Sequence, residues 1–368
     1  MKMFLLFILT LVYNTLWSQN VSTFFNSNNG QRVDDALLLD AQGNIYGSHY
    51  QGANVYKITP AGVASAVVTN LNTPNGLAFD SQGNLFVCDN IGNRVYKYSS
   101  TFVPLDTIVL SSPSGIIKSI NSDTMIVTTY TGHKLLKLAP DGSLIPFHMG
   151  APLNGPVGLT YDDNGQLYVG NFGDRKIYKV LEDSLDYVAT VPGGSFLGFI
   201  TYAQGAIWGT TFNQHKIYKV IPSVIDSVVL YTGLVKGSVD GSISQARFDQ
   251  PNGILATPSG DTIYISDFGT GRIRMITGIT LDNYLIPETQ KAHLVYPNPT
   301  KDKTTVLIEK DFSSIHLKVV NTMGQTMLAK LEVEGQRYTF DLVDLVAGAY
   351  YILITIDGET EAVPIVKE

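Results

Sequence analysis

The chain repeats itself, and few folds allow that. The stretch "PNGLAFDSQGNLFVCDNIGNRVYKYSS", beginning at Pro74, reappears as "PNGILATPSGDTIYISDFGTGRIRMIT", beginning at Pro251. Aligned on the first apolar residue of the "VYK" or "IYK" segment, copies fall at Val55, Val95, Leu135, Ile177, Ile217 and Ile273, with gaps of 40, 40, 42, 40 and 56 residues. A unit of about forty residues therefore occurs six times, with one insertion before the last copy.

Each copy reads as an apolar strand such as "GLAFD", a glycine turn such as "SQGN", a second strand "LFVCD", another turn, and a third strand "RVYKYS". A looser fourth strand follows, as in Asp106 to Leu110 or Asp226 to Leu230. Four short antiparallel strands at this period describe a propeller blade, and six copies predict an all-β, six-bladed β-propeller. The 34 glycines, 20 tyrosines and 16 phenylalanines agree with short strands and tight turns. A lone blade exposes two apolar faces, whereas a closed ring buries both against neighbours. Closure needs a seam. The sixth copy has no clear strand after Thr277, while "NVSTFF", Asn20 to Phe25, stands before the first copy; it is expected to pair beside Arg272 to Thr277 and complete blade six. Copy three, with "SDTM" in place of a glycine turn, leaves the form of its first hairpin open.

"GSVDGSISQARFDQPNGI" followed by "IYISDFGTGRIRMI", together with "PVGLTYDDNGQLYVGNFGDRKIYKV", resembles the NHL repeat, and the resemblance runs over residues 20–283. The architecture it implies is shared with the gluconolactonase-like propellers.

The segments outside the repeats carry addresses. Residues 1–18, with Lys2 before an apolar run from Met3 to Val12, read as a secretory signal peptide, and no other run is long and apolar enough for a transmembrane anchor. One cysteine rules out an internal disulfide framework, and Cys88, in mid-strand, is expected to be buried. A net charge of -7 argues against nucleic acid as a partner. Residues 284–294 read as a linker, and residues 295–368 contain about six strands, enough for a small Ig-like β-sandwich. "YPNP", "VVNTMGQTM", "DLVDLVAGAYYILI" and Lys367, in this order, resemble the C-terminal sorting domain of the type IX secretion system. That resemblance implies the type IX machinery as a partner, and export through the periplasm to the outer-membrane surface or the medium. Pro364 stands where that family has a strand residue and questions only the last strand's regularity.

A propeller's candidate site is the mouth of its central channel. The residue before the glycine that opens each innermost strand, or its equivalent, is Asp35, Asn75, Ser114, Val157, Leu197 and Asn252. In the gluconolactonase-like propellers a divalent metal sits at this point. By that resemblance Asp35, Asn75 and Asn252 are the candidate ligands for calcium, the one cofactor to consider. One carboxylate and two amides are meagre for a hard cation, so a hydrogen-bonded polar cluster is the expected arrangement and no cofactor is required.

Five residues before each aligned apolar position stand Tyr50, Asn90, Tyr130, Phe172, Phe212 and Phe268, each preceded by a polar residue: His49, Asp89, Thr129, Asn171, Thr211 and Asp267. The loop from second to third strand emerges beside the start of the innermost strand, so this set is expected around the mouth. It either packs between blades, with the polar residues tying the loops, or forms a stacking platform for a sugar or other flat-faced ligand. His133 and His215 share one slot of the repeat with Asn93, which marks a turn requirement rather than catalysis. No catalytic motif is found: no G-x-S-x-G elbow, zinc-ligand spacing or phosphate loop. The expected function is therefore binding of an extracellular ligand or protein by an exported propeller, with a metal-dependent lactonase as the alternative.

Overall fold

A computed structural model of the chain describes residues 19–27, 30–194, 196–233, 235–280, 293–297, 300–308, 312–321, 325–357 and 359–368. The expected signal peptide and most of the expected linker lie outside these residues. The chain divides into two compact units at Leu281 and Asp282.

The first unit is a six-bladed propeller built from six sheets. Its innermost strands are Leu37–Leu39, Pro74–Phe79, Pro113–Lys118, Pro156–Tyr161, Leu197–Ala203 and Pro251–Ala256. The aligned apolar residues, from Val55 to Ile273, are all fully buried in the third strands. They belong to six apolar clusters, one at each junction between neighbouring blades. Cys88 lies in the cluster between blades two and three, where burial, then the charge of Asp89, push its thiol up. The seam is as the sequence implies: Asn20–Phe25 pairs antiparallel with Arg272–Thr277, from Asn20 opposite Thr277 to Phe25 opposite Ile273.

Glycine in the Pro-x-Gly segments answers a steric demand. A Cβ on Gly115 would stand 1.8 Å from the Val157 carbonyl oxygen, and one on Gly253 would stand 1.9 Å from that of Asp35. The innermost strands approach so closely that the next blade's backbone occupies the side-chain position. The first hairpins of blades one, two and four are closed by an aspartate. Asp40, Asp80 and Asp162 each accept two backbone N–H bonds from the turn they open. Blade three lacks that device and closes instead with Lys118 Nζ donating to the carbonyls of Ser119 and Ser122.

The slot of His133 and His215 is a left-handed turn position: Asn93, His133, Arg175 and His215 have φ of 55°, 50°, 62° and 61°. The side chains also latch blades together. His133 Nδ1 accepts from Gly155 N at 2.9 Å, His215 Nδ1 from Gln250 N at 3.0 Å, and Asn93 Oδ1 from Ser112 N at 2.9 Å. The insertion before blade six is anchored by Arg274, fully buried, which donates to the carbonyls of Arg247 and Val239 and stacks over Phe248.

The second unit is a small Ig-like sandwich. One sheet orders His293–Tyr296, Lys303–Ile308, Arg337–Asp341 and Lys330–Glu334; the other orders Ile315–Asn321, Gly348–Ile356 and Glu359–Lys367. Its core includes Val306, Val319, Phe340 and Ile352. Leu294 pairs with Leu307, so the first strand begins at His293 and takes up the last two residues of the expected linker. Pro364 does not break the last strand, which pairs from Gly348–Lys367 to Ile356–Glu359 without a register shift. That strand is an edge, where a missing N–H costs no ladder bond.

Candidate functional site

The loops between second and third strands and the starts of the innermost strands meet on one face of the propeller and enclose a cavity of about 240 Å³. Its wall carries all six residues of the repeat position: Tyr50, Asn90, Tyr130, Phe172, Phe212 and Phe268. Each is partly exposed, so these rings are not swallowed between blades. They also pack on one another: Phe212 against Phe268 with centroids at 5.1 Å, Phe268 against Tyr50 at 6.4 Å, and Tyr130 against Phe172 at 5.8 Å. At blade two, where the ring of aromatics is interrupted, Asn90 Nδ2 donates to the Pro113 carbonyl at 3.0 Å.

The preceding polar residues hold the loops that carry these rings. Asp89 accepts from Asn72 N and Gly92 N, Asn171 donates to the Pro152 carbonyl, and Asp267 accepts from Asp249 N and Thr270 Oγ1. Both expected roles, tying loops and lining the mouth, therefore fall on adjacent residues with opposite directions, as strand alternation requires.

The floor is polar on one side. Asp35, Asn75, Ser114 and Asn252 line it, and each is less than a tenth exposed. Asn252 Nδ2 donates to Asp35 Oδ1 at 2.6 Å, and Asn75 Nδ2 donates to Ser114 Oγ at 3.2 Å. Hydroxyls on the second strands fix the floor's backbone: Thr210 donates to the Asn252 carbonyl and Ser266 to that of Asp35, at 2.6 and 2.7 Å. With the amide nitrogens committed, Asp35 Oδ2, Asn75 Oδ1 and Asn252 Oδ1 remain buried without a partner. Burial, then the neighbouring Asp34, hold the Asp35 carboxyl well above the usual carboxylate range.

The other side of the floor departs from expectation. Leu197 is fully buried and does not reach the cavity. It pairs with Thr211 as Pro113 pairs with Thr129 and Pro251 with Asp267. A Cβ on Gly198, however, would meet the Asn252 carbonyl oxygen and Thr210 Oγ1, as one on Gly253 would meet the Asp35 carbonyl oxygen and Ser266 Oγ. Gly198 therefore makes the close approach to the next blade, and Phe199 is left to face the channel. Phe199 lines the cavity and packs against the clusters of two other junctions, those of blades one with two and five with six. Its ring thus reaches across the channel and closes it. Phe196, 39% exposed, stacks face to face on Phe172 at 4.5 Å and extends the wall. Both were missed from the repeat alignment; "SFLGFI", where other copies read Pro-x-Gly, was the one available signal.

As calcium ligands the floor residues fit poorly. The cation takes about six to eight oxygens, whereas this floor offers three unpartnered side-chain oxygens from a single carboxyl and two amides. Among the described residues no group of three or more His, Cys, Asp or Glu side chains converges. Phe199 and Val157 present only carbon to the remaining side.

The propeller is similar in fold to an auxiliary nutrient binding protein from Bacteroides ovatus, with 17% identity over 71% of this chain and 76% of that one and a TM-score of 0.58. It is likewise similar to a gluconolactonase from Xanthomonas campestris, with 15% identity over 71% and 90% and a TM-score of 0.56. Virginiamycin B lyase from Staphylococcus aureus gives 16% over 71% and 100%, with a TM-score of 0.54. At these identities the likeness shows the fold alone. No curated protein sequence matches the chain. Residues 294–368 match the family described as the secretion system C-terminal sorting domain. The chain is therefore a six-bladed propeller carrying a type IX sorting domain, exported to the cell surface or the medium.

Proposed function

We propose that the protein is an exported binding protein whose propeller holds a small, flat-faced ligand at the channel mouth, and whose residues 1–18 are the signal that starts its export. The observation that carries this reading is the cavity itself: an aromatic wall in self-contact over a floor of buried polar groups, closed beneath by Phe199. Ligand sites combine apolar walls with a few placed polar groups in this way. The auxiliary nutrient binding proteins among its fold relatives are in keeping with such a use. The test is a screen of glycans and metabolites against the wild type and Phe172→Ala, with melting temperature as the check on folding. A bound compound is expected to bind the variant about tenfold more weakly, the loss of one stacking face. Equal binding by the variant would remove the ligand from this cavity.

The lactonase alternative has one observation in its favour, the Asp35 carboxyl in the floor, whose burial, then Asp34, hold its titration well above the usual carboxylate range, the direction a general acid needs. It lacks a placed partner to serve as base or nucleophile. The wall adds only Tyr50 and Tyr130 as ionisable groups, and burial, then Asp35 and Tyr130, push the Tyr50 phenol up, away from the phenolate. In excess calcium, Asp35→Ala is expected to change the melting temperature little. A rise of many degrees with calcium, abolished by that substitution, would establish the metal site and carry the enzyme reading.

A further inference from the structure

The polarity of the floor selects among ligands that the shape of the cavity would admit equally, and this selection rests on the binding function proposed for the channel mouth. Each side-chain amide nitrogen around the floor already donates within the protein: Asn252 Nδ2 to Asp35, Asn75 Nδ2 to Ser114 and Asn90 Nδ2 to the Pro113 carbonyl. The unpartnered buried atoms of the floor are all oxygens, on Asp35, Asn75 and Asn252. Among the described residues no lysine or arginine lines the cavity. Arg32 lies over Phe268 and is held by Asp34 and the Phe268 carbonyl. Aromatic faces carry negative potential and attract cations, with quaternary and substituted ammonium groups held in aromatic cages as the recurring use. An anion would meet acceptor oxygens and ring faces, both repulsive. A neutral polyol offers donors to the oxygens but no charge to the ring faces. A ligand with an N–H-bearing or alkylated cationic head satisfies floor and wall together.

We propose that the channel mouth binds an organic ammonium ion, its charged head on the oxygens of Asp35, Asn75 and Asn252 and its carbon body against the aromatic wall. An ammonium on the floor would donate N–H bonds to the unpartnered oxygens and bring a positive charge beside the Asp35 carboxyl. The titratable groups facing Asp35 are Asp34, itself tied to Arg32 and lying 3.7 Å from His49, and the phenol of Tyr50; none supplies a competing cation inside the cavity.

The experiment is calorimetric titration of the full chain with 2-phenylethylammonium and with its neutral isostere 2-phenylethanol, alongside the wild-type screen of glycans and metabolites. The ammonium is expected to bind at least about tenfold more tightly than the alcohol. Asp35→Asn keeps an acceptor for Asn252 and is expected to abolish the preference while leaving the melting temperature near wild type. Equal binding of the two probes to the wild type would overturn the ammonium assignment and leave the pocket reading standing. So would a preference that survives Asp35→Asn. Failure of both probes and of every compound in the screen would overturn both. The wild-type comparison decides the matter even if the variant does not fold.

Discussion

Gly115 and Phe199 occupy equivalent positions by strand pairing and do opposite things. Gly115 has no side chain because the Val157 carbonyl oxygen sits 1.8 Å from where its Cβ would be. Gly115→Ala must push two blades apart or bend both strands. Loss of about 2–3 kcal/mol or more is expected, read as a fall in the urea midpoint; Gly150→Ala, in open space at a φ of 76°, separates this from strain at a turn glycine and is expected to cost less. Phe199 instead turns into the channel and plugs it, while Gly198 makes the close approach to the next blade. The sequence made the six wall residues legible because they recur with the period, and each lines the cavity. It also placed Asp35, Asn75 and Asn252 on one floor. It could not reveal Phe196 and Phe199, because blade five breaks the pattern that made the others visible. Hydrogen-bond direction was equally illegible: which amide nitrogens are spent, and which oxygens remain, depends on neighbours from other blades.

At the scale of elements, the strand Asn20–Phe25 belongs in sequence to the approach to blade one and in space to blade six. Val21, fully buried, packs in the cluster between blades five and six. Val21→Asp would place an unpaired carboxylate there and open the seam, at an expected cost of about 3 kcal/mol or more. The comparable change Val229→Asp, on the half-exposed outer strand of blade five, is expected to cost under about 1 kcal/mol. Denaturant unfolding of the two variants measures the difference, and similar midpoints would mean that the seam does not hold the ring. The strand was legible because a ring must close and blade six lacked a fourth strand. The blade-three hairpin was not legible, since there a lysine from the strand donates to the turn carbonyls that no aspartate organises. The histidine slot was read as a turn position; its second use, accepting a backbone N–H from the next blade, depends on how two blades stand side by side.

For the whole molecule, the two units have separate cores, the six junction clusters in one and the sandwich core in the other. The tail is a sorting domain that matches over residues 294–368. Deleting Val295 to Glu368 is expected to leave a folded propeller retained in the periplasm, detected by fractionation and by an unchanged propeller melting temperature. Wild-type amounts at the surface after that deletion would contradict the role of the tail.

The seam of blade six also sets a schedule. Asn20–Phe25 is made early in synthesis, and its partner Arg272–Thr277 is made some 250 residues later. Until then the early strand has no neighbour to pair with, and blade one faces solvent where blade six will stand. Contacts between such distant segments are the slowest to form, because the intervening chain must first be ordered. The ring consequently has no closed form at any intermediate length: a growing or partly emerged chain can stack blades one to five but cannot lock them. Joining the two edges of the seam through a circular permutant, with new ends placed between blades three and four, would let the same blade six assemble locally and should shorten the final step of refolding.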